Sequence, residues 1–204
     1  MSMHDKVCYI FGAGEFYYPV IKFAENRFII AADGGFKYLH TKPDLIIGDF
    51  DSLPNVPDHG NIIRLNKEKD ETDMFAAIKE GIANDCETFH IYGGTGGRID
   101  HTLANIQSIA YLAEIGFQGY LHDKDYIITA IKNQSISFGS KHSGYLSIFA
   151  HDKMNRGVTL TGLKYSLENA DISNTFPIGI SNEFIGVEST VSVKDGTLIV
   201  IYSN

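Results

Sequence analysis

The feature that most constrains this sequence is a short apolar run that ends in two carboxylates. Residues 45–48, Leu-Ile-Ile-Gly, are followed by Asp49-Phe50-Asp51-Ser52. Such a run is typical of a buried parallel strand, and open α/β sheets bind their ligands at the carboxyl ends of these strands. Two acidic side chains there repel each other unless a cation lies between them, and Mg²⁺ is the hard, oxygen-binding ion that best meets this need. The alternative is that Asp49 caps the turn while Asp51 is merely solvated.

Strand-like and helix-like patterns alternate along the first 124 residues. Apolar runs predict strands at 7–11, 28–32, 45–48, 62–65 and 88–92, with a further strand from 119. Helical spacing predicts helices at 16–25 and 36–40, one after the N-cap Thr72, and one at 99–115 with Asp100 as its simplest N-cap. This alternation indicates an α/β domain with a parallel, doubly wound sheet over residues 1–124.

The pattern changes after about residue 125. Apolar and polar residues alternate at 136–138, 146–150 and 158–160, and no segment has a convincing helical pattern. Asp195-Gly196, between two apolar runs, predicts a two-residue hairpin. We therefore expect a smaller antiparallel β-sandwich domain over residues 125–204.

Composition narrows the classes of function and the compartment. The 204 residues carry a formal net charge of −8, which argues against a protein that binds nucleic acid through its phosphate backbone. Cys8 and Cys86 are far apart in sequence and adjoin apolar segments, so we expect buried free thiols in a reducing compartment. The sequence shows no secretory signal pattern and no apolar run near the ~18 residues of a membrane-spanning helix. A cytoplasmic protein that contacts no membrane is the expectation.

Four short motifs carry the residues suited to chemistry. They are Asp33-Gly34-Gly35, Asp49-Phe50-Asp51-Ser52, Asp70-Glu71-Thr72-Asp73 and Gly93-Gly94-Thr95-Gly96-Gly97. Three follow directly on a predicted strand, and the fourth opens a predicted helix, so a parallel sheet gathers all four at one edge. Each has an ordinary explanation, because glycine pairs form turns and acids at helix starts complement the helix dipole. Four such motifs at one edge favour a single site.

The acids are suited to a Mg²⁺–phosphate centre. Asp49 and Asp51 form a carboxylate pair that Asp73 or Asp70 completes, while Mg²⁺ takes its other ligands from water and substrate phosphates. Judged alone, Asp73 is better explained by the helix dipole, and its proximity to three other acids shifts the balance toward a ligand.

The glycine run is suited to phosphate. Gly94, Thr95 and Gly96 belong to a stretch whose backbone N–H groups approach an anion without interference from Cβ atoms, and Arg98 adds a forked cation immediately after it. The run is neither a Walker A motif nor a dinucleotide-binding fingerprint. For His101, the residues alone leave open a phosphate donor, an acid/base group and a surface position.

In their order and spacing, these motifs resemble those of the thiamine pyrophosphokinase family. The resemblance covers residues 31–105, and the β-rich remainder resembles the thiamine-binding domain of the family. It implies Mg²⁺-dependent transfer of a pyrophosphoryl group from ATP to the hydroxyl of thiamine, giving AMP and thiamine diphosphate. It implies that Asp49, Asp51 and Asp73 hold Mg²⁺, that Asp33 and Asp100 line the site, and that Arg98 contacts phosphate. For the general base, Asp100 and Asp73 both stay open.

The resemblance also implies a homodimer in which thiamine lies between the α/β domain of one chain and the β domain of its partner. Ser181-Asn182 resembles the thiamine contact of the family. The chain has no Trp, so an aromatic contact to thiamine has to be Phe or Tyr. Phe176 and Tyr165 are candidates, with core packing as the favoured alternative for both. Two other functions stay open: transfer to another acceptor or water, and a nucleotide or thiamine sensor that does not catalyse.

Overall fold

A computed structural model describes residues 6–17, 21–50, 60–66, 68 and 70–204. The chain forms two compact units, one of residues 1–105 with 121–124 and the other of residues 106–120 with 125–204. The first unit contains β1 (Lys6–Phe11), β2 (Arg27–Ala32), a 3₁₀ helix (Asp33–Tyr38), β3 (Leu45–Gly48), β4 (Ile62–Arg64), α1 (Asp73–Ala83) and β5 (Cys86–Tyr92). Between these segments and the rest of the chain lie α2 (Ile99–Glu114) and β6 (Gln118–His122).

The sheet of the first unit is parallel, as the sequence predicts. Its strands run in the order β5-β1-β2-β3-β4, and every neighbouring pair in that series is parallel. All four residues of β3 are buried, which explains why its sequence is uniformly apolar rather than alternating. The carboxyl ends of these strands therefore lie at one edge of the sheet. The motifs that begin at Asp33, Asp49 and Gly93 come immediately after β2, β3 and β5.

The predicted helix at 16–25 is wrong for the residues that the structure describes. Residues 16, 17 and 21–25 have no helical structure, and Pro19, expected in its first turn, lies outside the described residues. Ile21 and Phe23, two positions apart, both pack against the cluster formed by Tyr9 and its neighbours. Two residues that are two positions apart do not lie on the same face of a helix. A helix would therefore expose one of these two side chains, whereas the irregular segment buries both. The backbone N–H of Ala24 donates to the Tyr9 hydroxyl at 3.1 Å, a bond that replaces a helical one.

The predicted helix starts are partly confirmed. Thr72 is the N-cap of α1, since its hydroxyl accepts from the backbone N–H of Phe75 at 3.1 Å. The prediction that Asp100 caps the next helix is wrong, because α2 begins at Ile99 and Asp100 lies inside its first turn. The short helix predicted at 36–40 corresponds to the 3₁₀ helix, which begins three residues earlier.

In the described part of the chain, no helix combines the length and apolar composition needed to cross a membrane.

Residues 125–204 of the second unit form an antiparallel β-sandwich. Its strands are β7 (Tyr126–Lys132), β8 (Ser135–Phe138), β9 (Tyr145–Ala150), β10 (Met154–Thr161), β11 (Leu167–Ser173), β12 (Asn182–Glu183), β13 (Ser189–Ser192) and β14 (Thr197–Ser203). They pair in the orders β12-β9-β14-β7 and β11-β10-β13-β8. One buried cluster draws Leu146 and Val200 from the first sheet and Leu160 and Val191 from the second. No helix occurs in residues 125–204, all of which the structure describes.

The predicted hairpin at Asp195-Gly196 is wrong. The flanking strands β13 and β14 do not pair with each other; β13 pairs with β10 and β8, and β14 pairs with β7 and β9. The turn instead carries the chain from one sheet of the sandwich to the other. Gly196 has φ +114°, and its N–H donates to the Asn133 side chain at 2.7 Å. Gly196 therefore allows a turn that connects the two sheets. In sequence, an Asp-Gly pair in such a turn looks the same as an Asp-Gly pair in a hairpin.

Both cysteines are buried and free, as predicted. Cys8 lies in β1 and Cys86 opens the adjacent strand β5. Burial raises the pKa of the Cys8 thiol well above its usual value, which keeps the sulfur protonated and suits packing between strands.

Candidate functional site

A cavity of about 480 Å³ lies at the carboxyl ends of the strands of the first unit. Its lining comes from the turns after β1, β2 and β5 and from the first turns of α1 and α2. The lining residues are Gly12, Ala13, Gly14, Ala32, Asp33, Thr72, Asp73, Met74, Gly93, Gly94, Thr95, Gly97, Arg98, His101, Thr102 and Asn105. Three of the four sequence motifs thus contribute to one cavity.

Two glycine-containing turns pack directly on each other to form one wall. The N–H of Gly12 donates to the Tyr92 carbonyl at 2.8 Å, and the N–H of Gly14 donates to the Gly93 carbonyl at 2.9 Å. A Cβ on Gly14 would lie 2.6 Å from the carbonyl oxygens of both Gly93 and Thr95. Only glycine allows this approach. Gly12, Ala13 and Gly14, to which the sequence analysis assigned no role, line the cavity.

The ends of β2 and β3 bring two acidic residues close together in the fold. Asp33 follows β2 with φ +49°, and a Cβ on Gly48 would lie 3.0 Å from the Asp33 Cα atom. Asp49 comes directly after Gly48 and is half-buried. The next residue, Phe50, also has a left-handed φ of +59° and buries its ring against Ala31. A left-handed conformation is costly for a bulky residue, and the buried ring offsets that cost at the point where the predicted carboxylate pair begins.

Asp73 lies at the first position of α1 and lines the cavity. The N-terminal N–H groups of α1 and its dipole therefore face the same space, an arrangement that favours anions. Among its neighbours in the acidic motif, Glu71 pairs with Lys79 at 2.7 Å and Asp70 is exposed. Asp73 is thus the acid of this motif that the cavity includes.

Arg98 and Asp100 form an exposed ion pair at the start of α2. Arg98 donates to Asp100 from Nη2 at 2.5 Å and from Nε at 3.1 Å, and the backbone N–H of His101 donates to Asp100 at 3.0 Å. The hydrogen bond from Arg98 is the main reason that the pKa of Asp100 lies below its ordinary value. Arg98 and His101 line the cavity, whereas Asp100, Gly96 and Asp49 are not among its lining residues.

The first two turns of α2 supply polar residues that the sequence analysis missed. Thr102 and Asn105 line the cavity, and the Asn105 side chain donates to the Gly94 carbonyl at 2.7 Å, which fixes the glycine run. The signal was present, because 98, 101, 102 and 105 recur at helical spacing on one face. The Thr95 hydroxyl is buried and has no hydrogen-bond partner among the described residues, as expected of a group that serves a ligand.

The predicted metal ligands are only partly described. Asp51, with Ser52, lies outside the described residues. In the described ranges, no group of three or more His, Cys, Asp or Glu side chains is arranged to hold a metal ion. Among the residues that line the cavity, Asp33, Asp73 and Thr95 offer oxygen donors, the type that Mg²⁺ binds, and Mg²⁺ needs few protein ligands when phosphates supply the rest.

The residues predicted to contact thiamine lie in the second unit. Ser181 is exposed with φ +57°, and its N–H donates to the Ser147 hydroxyl at 3.0 Å. Asn182 is buried, and its side chain bonds to the backbone of Tyr165. Tyr165 and Phe176 are 60% and 68% exposed, so the alternative that both belong to the core is wrong.

Fold and cavity define the class: an α/β domain with a parallel sheet, whose glycine turns and helix N-termini line a cavity of the kind suited to anions, and an antiparallel β domain after it. Comparison with known proteins specifies the family. Residues 22–118 match the catalytic domain of thiamin pyrophosphokinase, and residues 131–198 match its vitamin B1 binding domain. The chain belongs to the thiamine pyrophosphokinase family.

Individual relatives agree with this assignment. Thiamine pyrophosphokinase of Bacillus subtilis is 33% identical over 137 residues, which cover 67% of this chain and 64% of the relative. The match thus spans slightly less than two thirds of that relative. Over nearly full lengths, the crystal structure of thiamine pyrophosphokinase from Bacillus subtilis is similar with a TM-score of 0.86, 26% identity and coverage of 98% and 99%. The structure from Geobacillus thermodenitrificans gives 0.84, 27%, and 97% of each chain.

Proposed function

We propose that this protein catalyses Mg²⁺-dependent transfer of pyrophosphate from ATP to the hydroxyl of thiamine, forming thiamine diphosphate and AMP. The observation that carries the proposal is the cavity of the first unit, where acidic, glycine and arginine residues of separate motifs line one space. The match to both family domains, in chain order, supports the same reaction. Two buried free thiols are compatible with a reducing compartment, and we place the reaction in the cytoplasm.

The residues around the cavity suit the binding of a triphosphate. Backbone N–H groups of Gly94, Thr95 and the α1 N-terminus are suited to bind anionic oxygens, and the exposed Arg98 adds a cation. Asp49, Asp51 and Asp73 are the proposed Mg²⁺ ligands, and Asp33 lines the same space. When bound, Mg²⁺ would neutralise charge on the phosphate oxygens. The acids would hold the ion, and the N–H groups of the glycine run together with Arg98 would orient the phosphates; alignment and charge neutralisation are most of what phosphoryl-type transfer requires of a protein.

In the proposed step, the thiamine hydroxyl oxygen forms a bond to the β-phosphorus, and the bond from that phosphorus to the oxygen bridging to the α-phosphate breaks. AMP leaves with that oxygen. The hydroxyl proton passes to a carboxylate, for which Asp73 and Asp100 are the proposed acceptors. Because its bond to Arg98 lowers the pKa of Asp100, this carboxylate is ionised at neutral pH but is a weak base while the pair persists.

Arg98→Ala is expected to raise the KM for ATP or lower kcat/KM by a factor of about 5–150. This factor corresponds to ~1–3 kcal/mol, the range for losing a charge-assisted hydrogen bond. Steady-state kinetics with varied ATP measure it. Arg156→Ala is the matched control, because Arg156 also forms an exposed pair with an aspartate, Asp195, at 3.6 Å, but in the second unit. Unchanged ATP dependence in the Arg98 variant would remove Arg98 from the phosphate site.

We also propose that the protein is a homodimer. Exposed apolar side chains support this, because monomers rarely leave large contiguous apolar patches in water. On the second unit, exposed apolar side chains lie in the chain segments before and after β12 and in its partner strand β9. They are Tyr145, Tyr165, Phe176, Ile178, Ile180, Ile185 and Val187. On α2, Ile99 and Leu103 are exposed as well. Sedimentation equilibrium is expected to give twice the 22.6 kDa chain mass. A monomer at micromolar concentration would contradict the proposal.

The reaction itself is tested by incubating the protein with ATP, Mg²⁺ and thiamine and separating nucleotides and thiamine esters by chromatography. We expect equal amounts of AMP and thiamine diphosphate, loss of both with a chelator, and recovery on adding Mg²⁺. AMP without thiamine diphosphate would point to water or another acceptor. Folded protein that binds ATP and forms neither product would indicate a sensor.

A further inference from the structure

The glycine run is tied by its own carbonyl groups to the turn that follows β1. The Gly93 carbonyl accepts from the N–H of Gly14 at 2.9 Å, and the Thr95 carbonyl accepts from the N–H of Glu15 at 3.1 Å. These peptide bonds are trans, so each carbonyl and the N–H of the same peptide bond point in opposite directions. Anchoring the carbonyls therefore directs the N–H groups of the next residues away from the turn.

Three consecutive N–H groups of the run are oriented in this way. The middle carbonyl, that of Gly94, accepts from the Asn105 side chain at 2.7 Å. The N–H groups that share the three anchored peptide bonds belong to Gly94, Thr95 and Gly96, and none of them donates to another described residue. A row of backbone N–H groups without partners in the fold is suited to anionic oxygens. The direction of this row depends on the turn after β1.

Tyr38 holds that turn from its other side. Its hydroxyl donates to the Gly14 carbonyl at 2.5 Å, and its ring stacks on Phe16 with 4.9 Å between the centroids and 19° between the planes. Tyr38 is half-buried and is not among the residues that line the cavity. Both ends of its side chain thus contact residues 14–16, the segment whose N–H groups hold the glycine run.

The 3₁₀ helix gives Tyr38 a fixed base. A Cβ on Gly35 would lie 1.8 Å from the Phe11 carbonyl oxygen, so the backbone of this helix packs directly on the end of β1. The first residue of the helix is Asp33, which lines the cavity, and the last is Tyr38. One short helix therefore connects an acidic side chain of the cavity with the turn that supports the glycine run.

We propose that Tyr38 is a positioning residue for phosphate binding, because through Gly14 it keeps the N–H groups of the glycine run directed at the phosphates of ATP. The inference rests on the proposed function in taking ATP as the ligand. Without the hydroxyl, the Gly14 carbonyl loses this partner while the ring still packs on Phe16. The turn then shifts, and a displacement of ~1 Å in groups that position a substrate is enough to lower binding and turnover markedly.

Titration calorimetry of the full-length protein with ATP and Mg²⁺, in the absence of thiamine, measures this effect without turnover. Tyr38→Phe is expected to raise the Kd for ATP about three- to tenfold, the scale of losing one hydrogen bond. Inorganic triphosphate, which has the phosphates and lacks the nucleoside, is expected to lose affinity by the same factor. In steady-state assays, we expect the KM for ATP to rise and the KM for thiamine to stay within about twofold.

Tyr9→Phe is the matched control. The Tyr9 hydroxyl is also bonded to a backbone group, since it accepts from the N–H of Ala24 at 3.1 Å, and Tyr9 and Tyr38 pack in the same aromatic cluster. Neither Tyr9 nor Ala24 lines the cavity. This variant is expected to lower the melting temperature about as much as Tyr38→Phe and to leave the affinities for ATP and inorganic triphosphate unchanged.

Each outcome decides the question. An ATP affinity of Tyr38→Phe equal to that of Tyr9→Phe would overturn the inference while the proposed function stands. A loss of affinity for ATP with unchanged affinity for inorganic triphosphate would also overturn it, because Tyr38 would then act on the nucleoside. Wild-type protein that binds neither compound would overturn both the inference and the proposed function. Wild-type protein that binds both and forms no thiamine diphosphate would refute the reaction alone, and the comparison of the two variants still decides the role of Tyr38.

Discussion

Asp73→Asn is expected to lower kcat about 10²–10³-fold, the usual loss when one preorganised charged group is removed from a transition state. Asp73 lies at the first position of α1 and lines the cavity with Asp33 and Thr95. As a proposed Mg²⁺ ligand, it provides charge that asparagine lacks, although the two side chains have nearly the same shape. Steady-state assays at saturating ATP, thiamine and Mg²⁺ measure the effect.

The same variant separates the two explanations of Asp73 that the sequence leaves open. If Asp73 serves only the dipole of α1, the variant loses ~0.3–1 kcal/mol of stability and keeps its turnover. If it is a ligand, turnover falls far more than stability. Asp85→Asn is the matched control, because Asp85 is exposed beyond the C-terminal end of α1 and its left-handed φ of +61° suits asparagine. Wild-type kcat in Asp73→Asn would remove this residue from the metal site.

Acidification is expected to destabilise the protein through two contacting histidines. Nδ1 of His90 in β5 lies 2.8 Å from Nε2 of His122 in β6, so one ring donates and the other accepts. Burial lowers the pKa of His90 to about 4, and burial together with the nearby His90 lowers that of His122 to about 3. Tyr9 stacks on His90 and Tyr92 stacks on His122, which accounts for the burial. Both rings are therefore neutral in the folded state at neutral pH.

The direction in which the free energy of unfolding changes with pH follows from proton linkage. Below the ordinary histidine pKa of about 6.5, the unfolded chain binds protons that the folded protein rejects, so the free energy of unfolding decreases as pH falls. The decrease is ~1.4 kcal/mol per pH unit for each histidine, or ~3 kcal/mol for one of them by pH 4. Denaturant melts between pH 7 and 4 measure it. We expect His90→Asn/His122→Asn to flatten this slope and the exposed control His40→Asn to leave it unchanged; an unaltered slope in the double variant would contradict the account.

Strand positions and the edge they share could be predicted from the sequence, because burial on both faces of a parallel sheet gives uniformly apolar runs such as 45–48. The N-cap Thr72 could be predicted for an equally local reason: its hydroxyl serves an N–H three residues away. Asp33, Thr95 and Arg98 reach the cavity because each lies in a segment that follows a strand end or immediately precedes a helix. Where the cause is local, pattern and structure agree.

Other features depend on contacts that no local pattern encodes. Residues 21–24 pack around Tyr9 without forming a helix, and Gly196 turns the chain between sheets rather than within one. On α2, the apolar residues Ile99 and Leu103 are 81% and 58% exposed, although their spacing suggests a buried face. The bond between Asn182 and Tyr165 joins positions 17 residues apart and has no sequence signature.

The most direct test of the account follows one phosphorus atom. With ATP labelled at the γ-phosphate, wild-type protein, Mg²⁺ and thiamine are expected to yield unlabelled AMP and thiamine diphosphate labelled at its terminal phosphate, in equal amounts. That result would establish attack at the β-phosphorus and transfer of an intact pyrophosphoryl group. Label in inorganic phosphate or pyrophosphate, or formation of ADP with thiamine monophosphate, would contradict it.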